Sequence, residues 1–510
     1  MVKIKSFVFV IALSLMVCGV AVGSQLSLHD KIGDLNQLAN FIKDNYAPID
    51  QKRILYGADI DQLLNRYLSY LPLIKSDEEF YYLVARFEGE FHDMHLMIFA
   101  PVYRSANLGF TADLIEGKIF IDKIDRAILS KNVFPFSHGD EIISFDGHPV
   151  SEELKSLKGF RGRENPRTED RSAAFALTDR LGTLVPLPVE KEARLEIRPK
   201  RSRTLSKVSV RWNFESMTSN SPRSKRTCTG KSQIKIPENS TMVEDTPFIA
   251  YYHPTPKGNV GYLKIGHFMP EEIEKIDSKI WLEKYKEALQ VLNKKTNALI
   301  VDESGNCGGD GNLLLQIIEM FLNRPVKNPW IARLRAAPLT LKMLKKTLQD
   351  EIGENPNSPN IPTIQAEIDV TENSIRAGDL LTPAITFWGP ASLQPKSFYN
   401  KPIMILINEM AGSAGDLFPA LMQDLGRAKL IGSTTAGGGG GDLDYEKIEL
   451  THSHIKMDLI NRMITYRANG RPLEDLGAQP DHPYSITTKD FLDGYREYRK
   501  FYVQKLIGEL

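Results

Sequence analysis

From residue 259 onward the chain alternates short apolar runs with amphipathic helical stretches, and this alternation limits the available folds more than any other feature. Residues 260–265 read as a strand, 273–292 as a helix, 298–301 as a strand and 312–322 as a helix. After a long interruption, 403–407 reads as a strand, followed by a helix to about Leu425; Leu430-Ile431-Gly432 opens one more strand. Strands separated by helices predict βαβ units, hence a parallel, twisted sheet with helices on its faces. In such sheets the chemistry sits at the carboxyl ends of the strands.

Upstream the periodicity changes. Across 28–42, 60–71 and 78–87 apolar residues recur three and four apart, as one buried helix face requires, so a small helical region is expected over 24–107. From 108 to 214 the pattern is that of short strands. Residues 110–114 and 118–124 pair around the turn Glu116-Gly117. Next comes His138-Gly139-Asp140-Glu141-Ile142-Ile143-Ser144-Phe145-Asp146-Gly147-His148-Pro149-Val150, a GD turn, an alternating strand and a DG turn. Segments 193–199 and 208–212 then form a closing hairpin. Residues 215–246 are rich in Ser, Thr, Asn, Pro and Lys and read as a linker, with Arg223, Lys225 and Arg226 in a solvated, cleavable loop. Within the last domain, 247–510, an insertion over 325–400 holds a basic amphipathic helix at 331–348 and an Asn- and Pro-rich loop at 354–362. A lid over the site and a surface decoration are both open readings of it.

Length and charge narrow the class. A chain of 510 residues exceeds one core and implies roughly two to four domains. Lys plus Arg and Asp plus Glu both number 64, so no net field draws nucleic acid or an anionic membrane. Lys3 and Lys5 precede an apolar run from Phe7 to Val22, and Ala21 and Gly23 supply the small residues of a cleavage site. That pattern reads as a signal peptide over 1–23, shorter than the ~20 apolar residues of a span. An uncleaved anchor and lipidation at Cys18 are the alternatives. The expectation is export to the periplasm or beyond, with no stable membrane insertion after cleavage. Cys228 and Cys307 then remain, too few for a disulfide framework, although one bridge stays open. Neither has metal-ligand spacing, so no zinc site is expected.

The sharpest chemical segment is Ile405-Leu406-Ile407-Asn408-Glu409-Met410-Ala411-Gly412-Ser413-Ala414-Gly415-Asp416. A strand ends, small residues turn the chain, and a helix begins. Ser413 thus stands at a helix N-terminus, where backbone N–H groups and the helix dipole favour a developing oxyanion. An ordinary N-cap serine is the plain alternative. Gly437 to Gly441 lack phosphate-loop spacing and are read as room for an extended substrate strand, with Gly437, Gly438 and Gly439 as substrate-binding positions. Cys307 has no evident His or Asn pairing motif and is read as a small packed residue.

The motifs resemble those of the C-terminal processing (tail-specific) serine peptidases. Ser413's turn is followed by Arg427-Ala428, an apolar strand ending in Gly432, then Thr434, Thr435 and glycines. Leu299-Ile300-Val301-Asp302-Glu303-Ser304-Gly305-Asn306-Cys307-Gly308-Gly309 resembles the family's strand–Asp–Asn–x–Gly–Gly motif, and Gly261-Tyr262-Leu263-Lys264-Ile265 its opening strand. The GD–strand–DG segment resembles a PDZ domain over 108–214, although only Leu108-Gly109-Phe110 survives of its carboxylate-binding loop. The resemblance implies a multi-domain α/β fold: a helical N-terminal region, a PDZ-like β domain and a βαβ core of the ClpP/crotonase-like kind. One departure is plain, since Gly438 stands where the common members carry a dyad lysine. A divergent Ser-His-Glu branch, typified by the chlamydial protease-like activity factor, is similar in lacking it. Phe91-His92-Asp93-Met94-His95 and Leu473-Glu474-Asp475-Leu476-Gly477-Ala478-Gln479-Pro480 resemble that branch's other two motifs. The resemblance implies Ser413 as nucleophile, His95 as base with His92 as its rival, and Glu474 as the third member. It places the oxyanion hole at Ala414 and the Gly308-Gly309 turn. A serine endopeptidase of proteins or peptides is expected, needing neither metal nor cofactor and binding no nucleic acid; a homodimer is left open. The alternatives are an inactive binding protein on the same fold and a serine hydrolase of small esters.

Overall fold

The computed structural model describes residues 25–160, 162–200, 202–217, 234–441 and 448–509. The expected signal peptide and the middle of the 215–246 linker lie outside them. Among the described residues no helix is long and apolar enough to cross a membrane.

The expected parallel sheet forms. Its seven strands run in the order Thr241–Glu244, Ala250–Thr255, Gly258–Lys264, Ala298–Asp302, Ile403–Ile407, Lys429–Gly432 and His482–Pro483. The last five are parallel and the first two antiparallel. Ala298–Asp302 and Ile403–Ile407 are buried at every position, because helices cover both faces of a parallel sheet. Leu299, Val301, Ile403 and Ile405 point into one core with the helices Ser278–Lys295, Gly311–Phe321 and Ala414–Asp424. Ala298, Ile300, Met404 and Leu406 point into the opposite one, closed by Tyr498, Tyr502 and Leu506 of the helix Arg496–Gly508.

Four helices, Leu28–Asn45, Ile49–Tyr56, Ile60–Tyr70 and Asp77–Gly89, make the N-terminal region. Ser27 and Asp30 cap the first reciprocally; Ser76 caps the last, whose first turn holds Asp77, Glu78 and Glu79 against the positive helix end. This region does not close on itself. Its core takes in Leu450, Ile455, Met457 and Ile460, and Met97–Phe99 pairs antiparallel with Lys456–Leu459. The N-terminal helices are thereby fastened to the C-terminal part of the chain.

Between them lies the PDZ-like domain, an antiparallel sheet ordered Phe110–Ile115, Lys118–Ile124, Glu141–Phe145, Glu192–Arg198 and Ser206–Arg211. The Glu116-Gly117 turn has φ of 49° and 76°, the doubly positive geometry of a two-residue hairpin. Two helices, Val150–Leu157 and Pro166–Thr178, complete it, the second opened by an Asn165 cap and a proline in its first turn.

The insertion differs from expectation. Residues 331–334 are a strand, Ile331–Leu334, paired with Ile385–Thr386 and with Met463–Tyr466; the helix starts later, at Pro338–Glu354. Burial alternates along 331–334, the period of a strand, and proline suits the opening turn of a helix better than its interior. A second helix, Ile361–Ala377, packs beside the first.

Candidate active site

Ser413 follows the strand Ile403–Ile407 and immediately precedes the helix Ala414–Asp424. Its φ is 60° and ψ −125°, a conformation a non-glycine residue holds only when its surroundings impose it. The hydroxyl makes no cap bond to its helix, so the ordinary N-cap reading does not apply. Ser413 Oγ stands 3.0 Å from His95 Nε2 instead. His95 is buried in the loop after the helix Asp77–Gly89. Asp93 Oδ1 accepts the His95 backbone N–H at 2.7 Å, which sets the turn of that loop. The rival His92 faces elsewhere: its ring stacks on Tyr56 at 4.4 Å between centroids and its Nδ1 faces Arg163 O.

Glu474 belongs to the same buried cluster, which it shares with Asp93. Asn461 Nδ2 donates to Glu474 Oε2 at 3.2 Å and to Asp93 Oδ2 at 3.0 Å; Tyr46 OH also donates to Asp93 Oδ2, at 2.6 Å. Lys52, from the helix Ile49–Tyr56, is 0 % exposed and lies 2.8 Å from Glu474 Oε1 and 2.6 Å from Asp475 Oδ1. Glu164, entering from the PDZ-like domain, accepts the Met94 N–H at 2.6 Å.

Burial would raise the Asp93 carboxyl, but Lys52, His95 and the hydrogen bonds from Tyr46 and Asn461 outweigh it and hold it below its ordinary value. Glu474 is pushed well above the carboxylate range by burial and then by the Asp93 charge, with Lys52 opposing. Burial, reinforced by Asp93, lifts Glu164 to about 8. Desolvation works against a charged Lys52, yet Glu474, Asp93 and Asp475 together hold it well above its ordinary value. Asp93, Glu164 and Glu474 bring carboxylate oxygens within 4.8 Å of one another, a donor set able to hold a cation. The Lys52 ammonium already stands beside them, against Glu474 Oε1 and Asp475 Oδ1.

The Gly308-Gly309 turn lies against the nucleophile. A Cβ on Gly308 would come 2.5 Å from Ser413 Cβ and 2.9 Å from the Ala414 nitrogen, and one on Gly309 would overlap Phe268 O. Gly308 donates its N–H to Asn306 Oδ1 at 2.8 Å, so of the expected oxyanion donors it supplies room rather than a hydrogen bond. In the glycine run 437–441, Gly439, Gly440 and Gly441 line the cleft with Ser413, while Gly437 and Gly438 differ from expectation. The N–H groups of Gly437 and Gly438 turn inward to the two oxygens of Asp416, at 2.9 and 3.0 Å, and are not open to a substrate. A Cβ on Gly438 would overlap Met94, and one on Gly439 would come 2.6 Å from Leu473 Cβ and 2.8 Å from the Glu474 nitrogen. Glycine lets this strap pass between the His95 and Glu474 loops. Burial lifts Asp416 to about 7 against the hydrogen bonds from Thr435, Gly437 and Gly438. Cys307 is disulfide-bonded rather than a small packed thiol, so it is no nucleophile.

Ser413 and His95 open onto a cleft of about 1630 Å³ that runs between the core, the PDZ-like domain and the insertion. Of the residues expected from sequence, the structure brings Ser413 and His95 within hydrogen-bond distance and places Glu474 in the buried cluster with Asp93. Sequence reasoning missed Lys52, Glu164, Asn461 and Asp416. Asp93 lay inside the quoted histidine motif, a signal available but not used. A lysine on a helix face carries no comparable mark.

Residues 259–484 match the model of peptidase family S41, and residues 104–223 that of a PDZ domain. With the serine elbow and its histidine, this makes the chain a serine-type peptidase, similar to the C-terminal processing peptidases. More particularly, it is similar in structure to mature CPAF, the chlamydial protease-like activity factor, with a TM-score of 0.81, 22% identity, and 94% of this chain and 98% of that one covered. CPAF complexed with lactacystin gives 0.81 at 23% identity, over 95% and 99% of the two chains. Proteins of Chlamydia pneumoniae and of Chlamydia trachomatis serovar D are each 24% identical, covering 96% of this chain and 91% and 94% of their own.

Proposed function

We propose that the chain is an exported endopeptidase that cleaves protein or peptide substrates through an acyl-enzyme on Ser413. The observation that carries this is the 3.0 Å approach of Ser413 Oγ to His95 Nε2 at a strained elbow beside an open glycine turn. A serine hydroxyl is a weak nucleophile until its proton leaves, and an imidazole titrating near neutrality can take it and return it. Ser413 Oγ attacks the scissile carbonyl while His95 Nε2 takes the hydroxyl proton. The oxyanion rests on the N–H groups of Ala414 and Gly309. His95 then gives its proton to the leaving amine, and water repeats the sequence to release the acyl group.

Glu474 is the third member. It acts with Asp93, the two sharing the Asn461 amide, to hold the His95 loop, while the Asp93 carboxylate, kept charged by its partners, stabilises the imidazolium. Lys52 keeps this many carboxylates tolerable in one buried site. Export rests on the Lys3, Lys5 and Phe7-to-Val22 pattern and predicts a mature protein starting at Ser24.

The test is casein hydrolysis by residues 24–510 together with fluorophosphonate labelling. Wild type is expected to cut casein and to be labelled. Ser413→Ala and His95→Ala should each lose roughly 10⁴-fold or more in kcat while staying folded. A folded, unlabelled wild type that cuts nothing would defeat the proposal. Cleavage of small esters alone would leave a hydrolase that is not a protease. Inhibition by lactacystin, which CPAF binds in its complex, is a further expected outcome.

A further inference from the structure

The acyl chemistry leaves one wall of the cleft without a role. It comes from the insertion, and its centre is Trp388. Trp388 has a φ of 52°, a left-handed conformation that is a genuine outlier for so bulky a residue. The backbone is held there from both sides. Its N–H donates to Glu367 Oε1 at 2.8 Å, and its carbonyl accepts from Asn328 Nδ2 at 2.7 Å. Glu367 and Asn328 are each 1 % exposed. Asn328 Oδ1 also accepts the Trp330 N–H, and Trp330 Nε1 donates to Thr465 Oγ1 at 3.2 Å. One buried amide therefore positions both tryptophans. Strain retained at a residue so thoroughly fastened points to a task for its side chain.

The location suggests the task. Trp388 and Trp330 line the same cleft as Ser413. A Cβ on Gly311 would come 2.8 Å from the Trp330 ring and 3.5 Å from the Trp388 ring, while one on Gly308 would come 2.5 Å from Ser413 Cβ. Three residues of chain separate these glycines, a span of roughly 10 Å at most. With the approach at each end added, and an extended substrate rising about 3.3 Å per residue, the tryptophans lie within roughly six residues of the scissile bond. The Trp388 indole N–H is buried and has no hydrogen-bond partner among the described residues. Phe387 backs the pair, 5.3 Å from the Trp330 ring centroid.

We propose that Trp388, with Trp330 beside it, forms the subsite that selects a large apolar side chain, aromatic or leucine-sized, within roughly six residues of the scissile bond, and that Glu367 is the positioning residue for its backbone. The inference rests on the acyl-enzyme reading and makes the insertion a specificity wall. Burial lifts Glu367 to about 8, so near neutral pH it is chiefly a neutral acid, and glutamine is a close mimic.

The experiment uses the mature full-length chain and quenched fluorescent peptides of one sequence, varied among Phe, Leu, Ala and Asp at each position flanking the cut. The readout is the ratio of kcat/KM between peptides within each variant, so any loss of active protein cancels. Wild type should favour Phe or Leu over Ala by roughly tenfold or more at one position. Trp388→Gly removes the indole and also relieves the positive φ, and should bring that ratio to within about twofold of unity. Should that variant fail to fold, Trp388→Phe and the pair Glu367→Ala and Glu367→Gln decide the matter. Glu367→Ala should erode the preference and Glu367→Gln should retain it. A wild type that cuts peptides without apolar preference overturns the proposal, as does a preference unchanged in Trp388→Gly. A wild type neither labelled by fluorophosphonate nor cutting any peptide overturns the acyl-enzyme reading, and this one with it.

Discussion

At the residue scale, the site is a problem of charge. Asp93, Glu164, Glu474 and Asp475 crowd a volume from which water is excluded, and Lys52 is the cation placed among them. Removing one partner of a buried ion pair leaves the other uncompensated. Lys52→Met is therefore expected to cost about 3–5 kcal/mol of stability, read from the denaturant midpoint. Glu164 gives a pH signature with a definite sign. Its ordinary value is 4.5 and its folded value about 8, so between these the folded protein holds a proton that the unfolded chain releases. Its contribution is complete below pH 4.5 and is lost as pH rises toward 8, at up to about 1.4 kcal/mol per pH unit. Glu164→Gln should flatten that part of the stability-against-pH curve; an unchanged slope would remove Glu164 from the account.

At the scale of elements, two glycine turns set how closely the catalytic segments approach. The 308–309 turn abuts the Ser413 elbow, and the 437–441 strap threads between the loops of His95 and Glu474. A methyl group at Gly308 meets Ser413 Cβ and the Ala414 nitrogen, and the φ of 84° there disfavours any side chain. Gly308→Ala is expected to lower kcat by roughly 10²–10³, the loss typical of a damaged oxyanion hole, with the fold retained by circular dichroism. The turns and strands around these glycines were legible because they depend on near neighbours: Glu116-Gly117 formed its hairpin, and the runs 298–301 and 403–407 became the buried central strands. The helix expected over 331–348 was misplaced at its start. The segment 331–334 is a strand because Met463–Tyr466, more than a hundred residues away, offers it an edge.

At the scale of the whole molecule, the site is assembled from distant parts of the chain. Lys52, Asp93 and His95 come from the N-terminal region, Glu164 from the PDZ-like domain, and Ser413, Asn461 and Glu474 from the core. The PDZ-like domain is also pinned beside the nucleophile. Arg171 lies 2.6 Å from Asp113 of its own sheet and 3.0 Å from Glu409, four residues before Ser413, and Thr168 donates to the Glu409 carbonyl. Deleting residues 25–60 removes Lys52 and one wall of the N-terminal core, and should abolish fluorophosphonate labelling even in protein that stays soluble. Labelling that survives the deletion would show that the core alone makes the site.

Local sequence determined the alternation of strands and helices, the hairpin and elbow turns, and which serine stands at a helix start. Each of these follows from residues a few positions apart. The motif resemblance added His95 and Glu474. Only the tertiary structure decided that Lys52, Asn461, Glu164 and Asp416 serve the same site, that the Gly308 and Gly437–Gly438 N–H groups turn inward, and that two tryptophans of the insertion face the cleft. The reason is physical. The buried Lys52 charge is held by partners more than four hundred residues along the chain, and even the near pairing of the Gly308 N–H with Asn306 depends on a turn that the surrounding fold imposes.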